Sequence, residues 1–251
     1  MTTCVEGICK VISGNTTTVF DSSCLTHRVT IIAGGYGSGK SEVAVNLAIT
    51  LARQASTKVS IADLDLVNPY FRSREAAKFL RSIGVHPINP TVGHAHTDLP
   101  IVMPEVKGAI ESGEGRLIID AGGDDSGAVV LSSLVDVLTP GSYDMILVLN
   151  ANRPFSQTVD GCLKLIASIE RASRLQFTGI ISNSHLIDFT TPEMVREGLE
   201  LARKVSDARN LPVLGVAAVG LIAERLTKSE IDVPVLRLSR KLLKPWEREQ
   251  I

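Results

Sequence analysis

The sequence predicts an α/β protein in which a mostly parallel central sheet is flanked by helices on both faces. Short apolar runs typical of buried strands alternate along the chain with segments of helical periodicity. Only 4% of the residues are aromatic, so the core consists mainly of Val, Ile, Leu and Ala, which suits strands buried on both faces. A glycine-rich segment, Gly34–Ser41, joins one such strand, Val29–Ala33, to a helix.

Length and composition indicate one globular domain. The chain has 251 residues, of which 44% are hydrophobic and 21% are charged. No repeat, linker or low-complexity tract divides it, so residues 29–251 are predicted to form one domain after an extension at residues 1–28. A short β-hairpin is expected in this extension, because β-prone runs at Ile8–Ile12 and Thr16–Phe20 flank a Ser-Gly-Asn turn.

Charge and hydropathy limit the expected partners and location. The net charge of −1 argues against broad affinity for nucleic acid, and no sequence-specific nucleic-acid partner is expected. No apolar run reaches the roughly 18 residues of a membrane span. Glu6 and the absence of a long apolar run beside it argue against a signal peptide. These features predict a cytoplasmic protein with reduced cysteines.

The segment Gly34–Ser41 fits the G-x-x-x-x-G-K-[ST] pattern of a phosphate-binding loop at every fixed position. Glycines let backbone N–H groups turn toward phosphate oxygens, and the positive end of the following helix adds to the attraction. Lys40 is expected to reach the β- and γ-phosphates, and the Ser41 hydroxyl to bind Mg²⁺. The predicted nucleotide-contacting residues of this loop are Gly34, Gly35, Tyr36, Gly37, Ser38, Gly39, Lys40 and Ser41.

Acidic residues end two further predicted strands. The strand Lys58–Ala62 leads to Asp63 and Asp65, and the strand Leu117–Asp120 ends in Asp120. Because α/β sheets bind ligands at the carboxyl ends of their strands, these carboxylates are expected to face the phosphate loop. The strand that ends in Asp120 matches the Walker B pattern, whose carboxylate holds the Mg²⁺ shell.

The segment Gly122–Gly127, directly after that strand, has two compatible interpretations. It is flexible and acidic, and it lies where a switch that senses the γ-phosphate would lie. It also fits a strand-to-helix turn in which Asp125 or Ser126 is the N-cap.

The remaining apolar and amphipathic runs complete the expected α/β order. Strands are predicted at Val85–Ile88, Tyr143–Leu149, Gln176–Ser182 and Pro212–Val219, and helices at Pro104–Ser112, at Ser156–Arg174 and from Thr191-Pro192-Glu193 onward. Cys162 is expected to pack in the core beside one helix face.

Two groups of residues carry potential metal ligands. The spacing of Cys4, Cys9, Cys24 and His27 differs from the C-x₂-C pairs of zinc sites, which favours scattered thiols over a metal or redox site. His94 and His96 lie in a segment rich in Pro and Gly, where a plain loop is favoured because no third ligand is near in sequence.

The segment Asn183-Ser184-His185-Leu186 follows a predicted strand at the position of the base-recognising N-K-x-D element of GTPases. That element needs a carboxylate to accept hydrogen bonds from guanine, and Leu186 cannot accept them. The sequence therefore favours ATP over GTP. Asn183 is the predicted adenine contact, because an Asn amide pairs with adenine edges.

The segment Val235–Trp246 mixes leucines with arginines and lysines and leaves two helical alternatives open. A basic amphipathic helix would lie on an anionic membrane. A closing helix of the domain would carry snorkelling cations, and this alternative is favoured because Pro245 limits the helix length.

In their order along the chain, these motifs resemble those of MinD/ParA-type ATPases. This group belongs to the SIMIBI class of P-loop proteins and includes the CobQ/CobB nucleotide-binding domains. The resemblance covers roughly residues 29–245, with the strongest motifs between residues 34 and 125. It implies a site for ATP and Mg²⁺ and a dimer, or another protein partner, that responds to the bound nucleotide.

The resemblance also implies roles for individual residues. Asp63 and Asp65 match acids of which one positions or activates the attacking water, and Asp120 matches the Walker B acid. Gly123 matches the glycine that offers its N–H to the γ-phosphate, and Asn183 matches the adenine contact. The expected catalytic residues are thus Lys40, Asp63 and Asp65, and the expected Mg²⁺ ligands are Ser41, Asp63 and Asp120.

One position departs from the MinD/ParA pattern. That branch carries a signature lysine, which reaches the partner's nucleotide across the dimer, where this chain has Gly35. Arg72 or Arg74 could supply the missing positive charge, because hydrolysis needs a cation near the developing γ-phosphate. An equally good alternative is that both arginines are surface residues of a helix.

Three functions are consistent with these motifs. The favoured one is a slow ATPase switch whose nucleotide state is sensed by a partner or by a second copy of the chain. The second is an ATP-dependent kinase or ligase for a small molecule. The third is an ATPase for metal delivery or cluster assembly, which would need exposed cysteines.

Overall fold

The computed structural model describes residues 17–54, 57–64, 77–88, 103–122 and 125–242. Several sequence predictions lie outside these residues. They concern Cys4, Cys9, Asp65, Arg72, Arg74, His94, His96 and Gly123.

Eight parallel strands form one sheet within the described residues. The strands are β1 (Val29–Ala33), β2 (Val59–Asp63), β3 (Val85–Ile88), β4 (Arg116–Asp120), β5 (Tyr143–Leu149), β6 (Gly179–Ser182), β7 (Val213–Val219) and β8 (Val235–Leu238). Their order in the sheet is β3-β2-β4-β1-β5-β6-β7-β8, with every pairing parallel. The predicted class, a parallel sheet with helices on both faces, is confirmed.

Seven α-helices connect or follow these strands in the described part of the chain. They are α1 (Lys40–Gln54), α2 (Ala77–Ser82), α3 (Met103–Glu111), α4 (Asp125–Ser132), α5 (Val159–Ser173), α6 (Pro192–Arg209) and α7 (Gly220–Ala223). Short 3₁₀ turns occur at Ser22–Cys24 and Ile187–Phe189. Thr158 and Thr191 cap α5 and α6 by accepting N–H bonds from Gly161 and Met194.

Each face of the sheet has its own hydrophobic core, because successive strand residues point to opposite faces. On β1, Ile31 packs with α4 and α5 on one face, whereas Ile32 packs with α1 on the other. All five residues of β1 are buried, as expected for a strand covered on both sides. Cys162 lies in the first of these cores, as predicted.

The described part of the N-terminal extension closes the sheet next to β8. Val19 forms a parallel bridge with Val235, and the Phe20 N–H donates to the carbonyl of Val235 at 3.1 Å. The Phe20 ring is fully buried against Gly215, where a Cβ would lie 2.9 Å from a ring carbon. The first run of the expected hairpin lies outside the described residues, so that hairpin stays a prediction.

The helix expected at Val235–Trp246 is wrong for its first four residues, which form strand β8. Val235, Leu236 and Leu238 are buried and Arg237 is exposed, so the leucines enter the cores instead of forming one helical face. The segment pairs with the edge of β7, and this tertiary pairing overrides the local helical preference of the sequence. No helix of the described residues is long and apolar enough to cross a membrane.

Candidate functional site

The predicted site residues meet at the carboxyl edge of the sheet. Strand β1, which leads into the phosphate loop, lies between β4 and β5. Asp63 at the end of β2 is the register neighbour of Asp120 at the end of β4. Lys40 and Ser41 begin α1 from the adjacent loop, and all four of these side chains are buried. The structure therefore brings the described catalytic and Mg²⁺-ligand candidates to one edge.

The glycines of the loop are required by its path. Gly39 has φ +86°, and a Cβ there would lie 2.4 Å from the Asn183 amide nitrogen. Gly34 has φ +153°, and a Cβ would lie 2.5 Å from the Val148 carbonyl oxygen. Both positions exclude any side chain, which is why the motif demands glycine at its two fixed positions.

Lys40 folds back over the loop that precedes it. Its Nζ donates to the carbonyl oxygen of Gly35 at 3.2 Å, and the Ser38 N–H donates to the same oxygen at 3.2 Å. This contact holds the ammonium group against the loop backbone. A phosphate held by the loop N–H groups would meet this charge.

Side chains from two neighbouring loops bind the outward carbonyls of the phosphate loop. The Arg153 Nε, after β5, donates to the Gly37 carbonyl at 2.8 Å. The Asn183 Nδ2, after β6, donates to the Ser38 carbonyl at 2.8 Å. These two bonds fix the directions of the Gly37 and Ser38 carbonyls, and with them the path of the loop backbone.

Asn183 therefore has a structural contact that its predicted adenine role did not include. Its amide nitrogen is used on the phosphate loop, and its side chain is buried. The role of Asn183 as an adenine contact stays a prediction. The sequence did not predict Arg153 as a site residue, because Arg153 is far from Gly37 along the chain. The only signal for it in the sequence was a polar run after a buried strand.

A second polar contact locks the β5 and β6 loops together. The Asn150 side chain is fully buried, and its Nδ2 donates to the His185 carbonyl at 3.2 Å. Its Oδ1 accepts the His185 N–H at 3.2 Å and the Asn152 N–H at 2.9 Å. Two hydrogen bonds thus join the loops that carry Arg153 and Asn183.

His185 is held neutral beside the loop. Burial lowers its pKa to about 4, and the positive charge of Arg153 acts in the same direction, while a hydrogen bond with the Ser38 backbone opposes them. The Ile187 N–H is directed at Nδ1 of the ring at 3.4 Å. A proton on this imidazole would face the Arg153 cation, so the loop is built for neutral His185.

The other predicted loop residues occupy distinct environments. Tyr36 is 75% exposed, so its ring is available to solvent or to a partner. Gly35, at the position of the signature lysine, lies against α5, where a Cβ would be 3.3 Å from Leu165 Cδ2. Ser38 is buried, and its hydroxyl has no hydrogen-bond partner within the described protein atoms.

A cavity of about 480 Å³ extends from the phosphate loop along the carboxyl edge of the sheet. Its lining includes Gly37, Gly39, Lys40 and Ser41, together with Asn183 and His185. Apolar residues of β7 and α7, and the charged Asp188 and Arg240, also line it. The cavity thus joins the glycine loop and the cationic Lys40 to apolar side chains, a combination that suits a phosphorylated ligand with a flat ring.

The cysteines of the described residues do not form a metal site. No group of three His, Cys, Asp or Glu residues able to hold a metal was found among the described residues. Cys24 is half-buried, and Cys162 is buried with its pKa raised to about 11 by burial. Burial keeps the Cys162 thiol protonated, and it acts as core packing.

Comparison with known proteins supports the fold. Neither a protein-family model nor a curated protein sequence matches the chain. Similar solved structures include FtsY of Mycoplasma mycoides (TM-score 0.52, 16% identity, 74% of this chain and 58% of that chain). They also include FtsY of Thermotoga maritima (0.50, 20%, 79% and 63%). A third is the signal recognition particle 54 kDa protein of Aeropyrum pernix in complex with GDP (0.52, 18%, 76% and 42%).

These similarities show a P-loop NTPase fold. The chain spans less than two thirds of the length of each of the three proteins. Because each identity is 20% or lower, these similarities show the fold alone, and the MinD/ParA branch expected from the sequence is not confirmed.

A Cβ at position 39 is predicted to lower the stability of the protein by more than left-handed backbone strain alone would. Gly39→Ala is expected to lower the free energy of unfolding by about 3 kcal/mol, because left-handed strain adds to the contact with Asn183. Gly141→Ala is the matched control, since Gly141 has φ +80° and open space around the Cβ position. Urea unfolding of both variants measures the difference, and equal losses would contradict the close approach.

The depressed pKa of His185 predicts a specific acid sensitivity. The pKa falls from 6.5 in the unfolded chain to about 4 in the folded protein, so the unfolded chain binds more protons between these values. Stability is therefore lost as the pH falls from about 6.5 to 4, by about 2 kcal/mol after allowance for partial exposure.

His185→Gln should remove this part of the pH dependence, as measured by urea unfolding at pH 7 and pH 4.5. His86→Gln, which changes an exposed imidazole on β3, is the control and should retain it. An unchanged acid loss in His185→Gln would show that other groups cause it.

Proposed function

We propose that this chain is a Mg²⁺-dependent nucleoside triphosphatase that acts as a switch, with ATP as its nucleotide. The observation that carries this proposal is the meeting of Lys40 and Ser41 with Asp63 and Asp120 at one edge of the sheet. A buried lysine in a glycine loop beside two strand-end carboxylates suits a phosphate–Mg²⁺ complex and little else.

The donor set fits magnesium. A serine hydroxyl and two carboxylates offer the hard oxygen ligands that Mg²⁺ prefers, and such sites also retain water. Ser41, Asp63 and Asp120 would hold the ion, whose charge would neutralise the phosphates. Lys40 and the loop N–H groups would bind the phosphate oxygens, and Asp63 or Asp65 would orient the attacking water.

ATP is favoured over GTP on the residues that follow β6. Leu186 has no acceptor for guanine, and its N–H is bound by the Thr190 hydroxyl at 3.0 Å. GTP is the second candidate. Asp188 lines the cavity and could accept hydrogen bonds from guanine, and the 54 kDa protein of similar fold was solved with GDP.

The surface around the site supports a switch that is sensed by another macromolecule. Exposed apolar side chains lie on the four segments that follow β1, β5, β6 and β7 at the carboxyl edge of the sheet. They are Tyr36, Phe155, Phe189 and Leu221, each at least 75% exposed. Apolar groups this exposed around one ligand site mark a contact surface for a protein partner or a second copy of the chain.

Lys40→Ala tests nucleotide binding. The variant is expected to bind ATP about 100-fold more weakly, because charge-assisted bonds to two phosphates are lost. Calorimetric titration with Mg²⁺ measures ATP and GTP side by side for the wild type, Lys40→Ala and the exposed-lysine control Lys164→Ala. Equal ATP affinity in all three proteins would overturn the proposed site, and tighter GTP binding by the wild type would correct the nucleotide.

A change of assembly with nucleotide tests the switch. Native mass measurement of the protein with no nucleotide, ADP or a non-hydrolysable ATP analogue is expected to show a dimer with the analogue only. Phe155→Ser and Phe189→Ser should reduce this dimer, whereas Val129→Ser, an exposed change on α4, should not. A monomer in all states that transfers phosphate to a metabolite would favour the kinase alternative.

A further inference from the structure

The four residues after β8, Ser239–Leu242, are fastened to the helix that begins in the phosphate loop. We refer to them as the strap. The Glu42 carboxylate on α1 accepts the Lys241 N–H through Oε1 at 2.6 Å and the Leu242 N–H through Oε2 at 3.1 Å. Glu42 directly follows Ser41, so the strap is attached at the first turn of α1.

Asn46, one turn further along α1, completes the attachment. Its Oδ1 accepts the Ser239 N–H at 2.8 Å, and its Nδ2 donates to the Ser239 carbonyl at 3.1 Å. The Asn46 side chain is buried and also donates to Glu42 Oε1 at 3.0 Å. Two side chains spaced four residues apart on one helix face thus fix the strap backbone on both sides of Arg240.

Arg240 enters the cavity from this fixed backbone. Its guanidinium Nη1 lies 3.8 Å from Asp188 Oδ1, on the loop after β6. Both residues line the cavity, as do Val219 and Leu221. The cation therefore lies in the cavity beside the loop after β6, which also carries Asn183.

We propose that the Arg240 guanidinium is the platform on which the base of the bound nucleotide stacks, with Asp188 orienting it and Glu42 and Asn46 positioning it. This inference rests on the proposed nucleotide site. A guanidinium is planar and weakly hydrated, so it stacks well on flat rings. Its pairing with Asp188 reduces its attraction for phosphate, and the apolar wall suits a purine ring.

Stacking predicts that loss of the Arg240 guanidinium weakens the binding of both purine nucleotides and leaves the binding of phosphate alone unchanged. Arg240→Ala should weaken ATP and GTP binding about tenfold, the usual effect of removing one stacking partner. Inorganic tripolyphosphate, which has no base, should bind the variant as it binds the wild type. Arg240→Lys should recover little ATP affinity, because it restores the charge without the plane.

Arg237→Ala is the matched control for this experiment. Arg237 lies on β8 and forms a surface pair with Glu224 at 3.5 Å, away from the cavity. Its ATP affinity should equal that of the wild type. If Arg240→Ala weakened tripolyphosphate binding as much as ATP binding, Arg240 would contact phosphate and stacking would be overturned. Full recovery of ATP affinity by Arg240→Lys would also overturn stacking, because it would show a simple charge effect.

Positioning is tested by combining variants. Asn46→Ala should weaken ATP binding in the wild-type background and have no further effect in the Arg240→Ala background. The same loss in both backgrounds would show a role unrelated to Arg240. If the wild type binds no nucleotide, the proposed function fails; if it binds ATP and Arg240→Ala binds equally well, only this inference fails.

Discussion

The fixing of the phosphate loop by side chains from outside it is the constraint on which the site depends. A loop with its N–H groups turned inward must turn carbonyls outward, and buried carbonyls need donors. Arg153 supplies one donor to Gly37 and Asn183 supplies another to Ser38. Asn150 then joins the loops that carry these donors. The path of the glycine loop therefore depends on three loops that are bonded to one another.

Parallel pairing makes this cooperation possible. Because the eight described strands run in one direction, the loops after β1, β4, β5 and β6 emerge at one edge of the sheet. The central position of β1 places the glycine loop between the acids on one side and the Arg153 and Asn183 loops on the other. Helix α1 begins at the end of this loop, and its Glu42 and Asn46 side chains accept hydrogen bonds from the strap.

The sequence predicted elements well where a short apolar run was bounded by turn residues. β1, β3 and β5 have the predicted bounds, and α6 begins at Pro192, within the predicted start Thr191-Pro192-Glu193. It failed at β8, where Leu236, Leu238 and their basic neighbours also fit a helical pattern. Four residues carry too little periodicity to separate strand from helix, and the open edge of β7 made the choice.

The sequence by itself determined the glycine loop, because the backbone path of that local motif demands glycine. It also predicted the phosphate chemistry of Lys40 and Ser41 and the Mg²⁺ role of Asp120. Only the tertiary structure decided what surrounds that motif. The Asn183 side chain donates a hydrogen bond to the loop, and the His185 ring is buried and neutral. Arg240 lies in the cavity beside Asp188. These roles join residues up to 200 positions apart, as the contact of Glu42 with Leu242 does, and side-chain direction across such distances is set by packing.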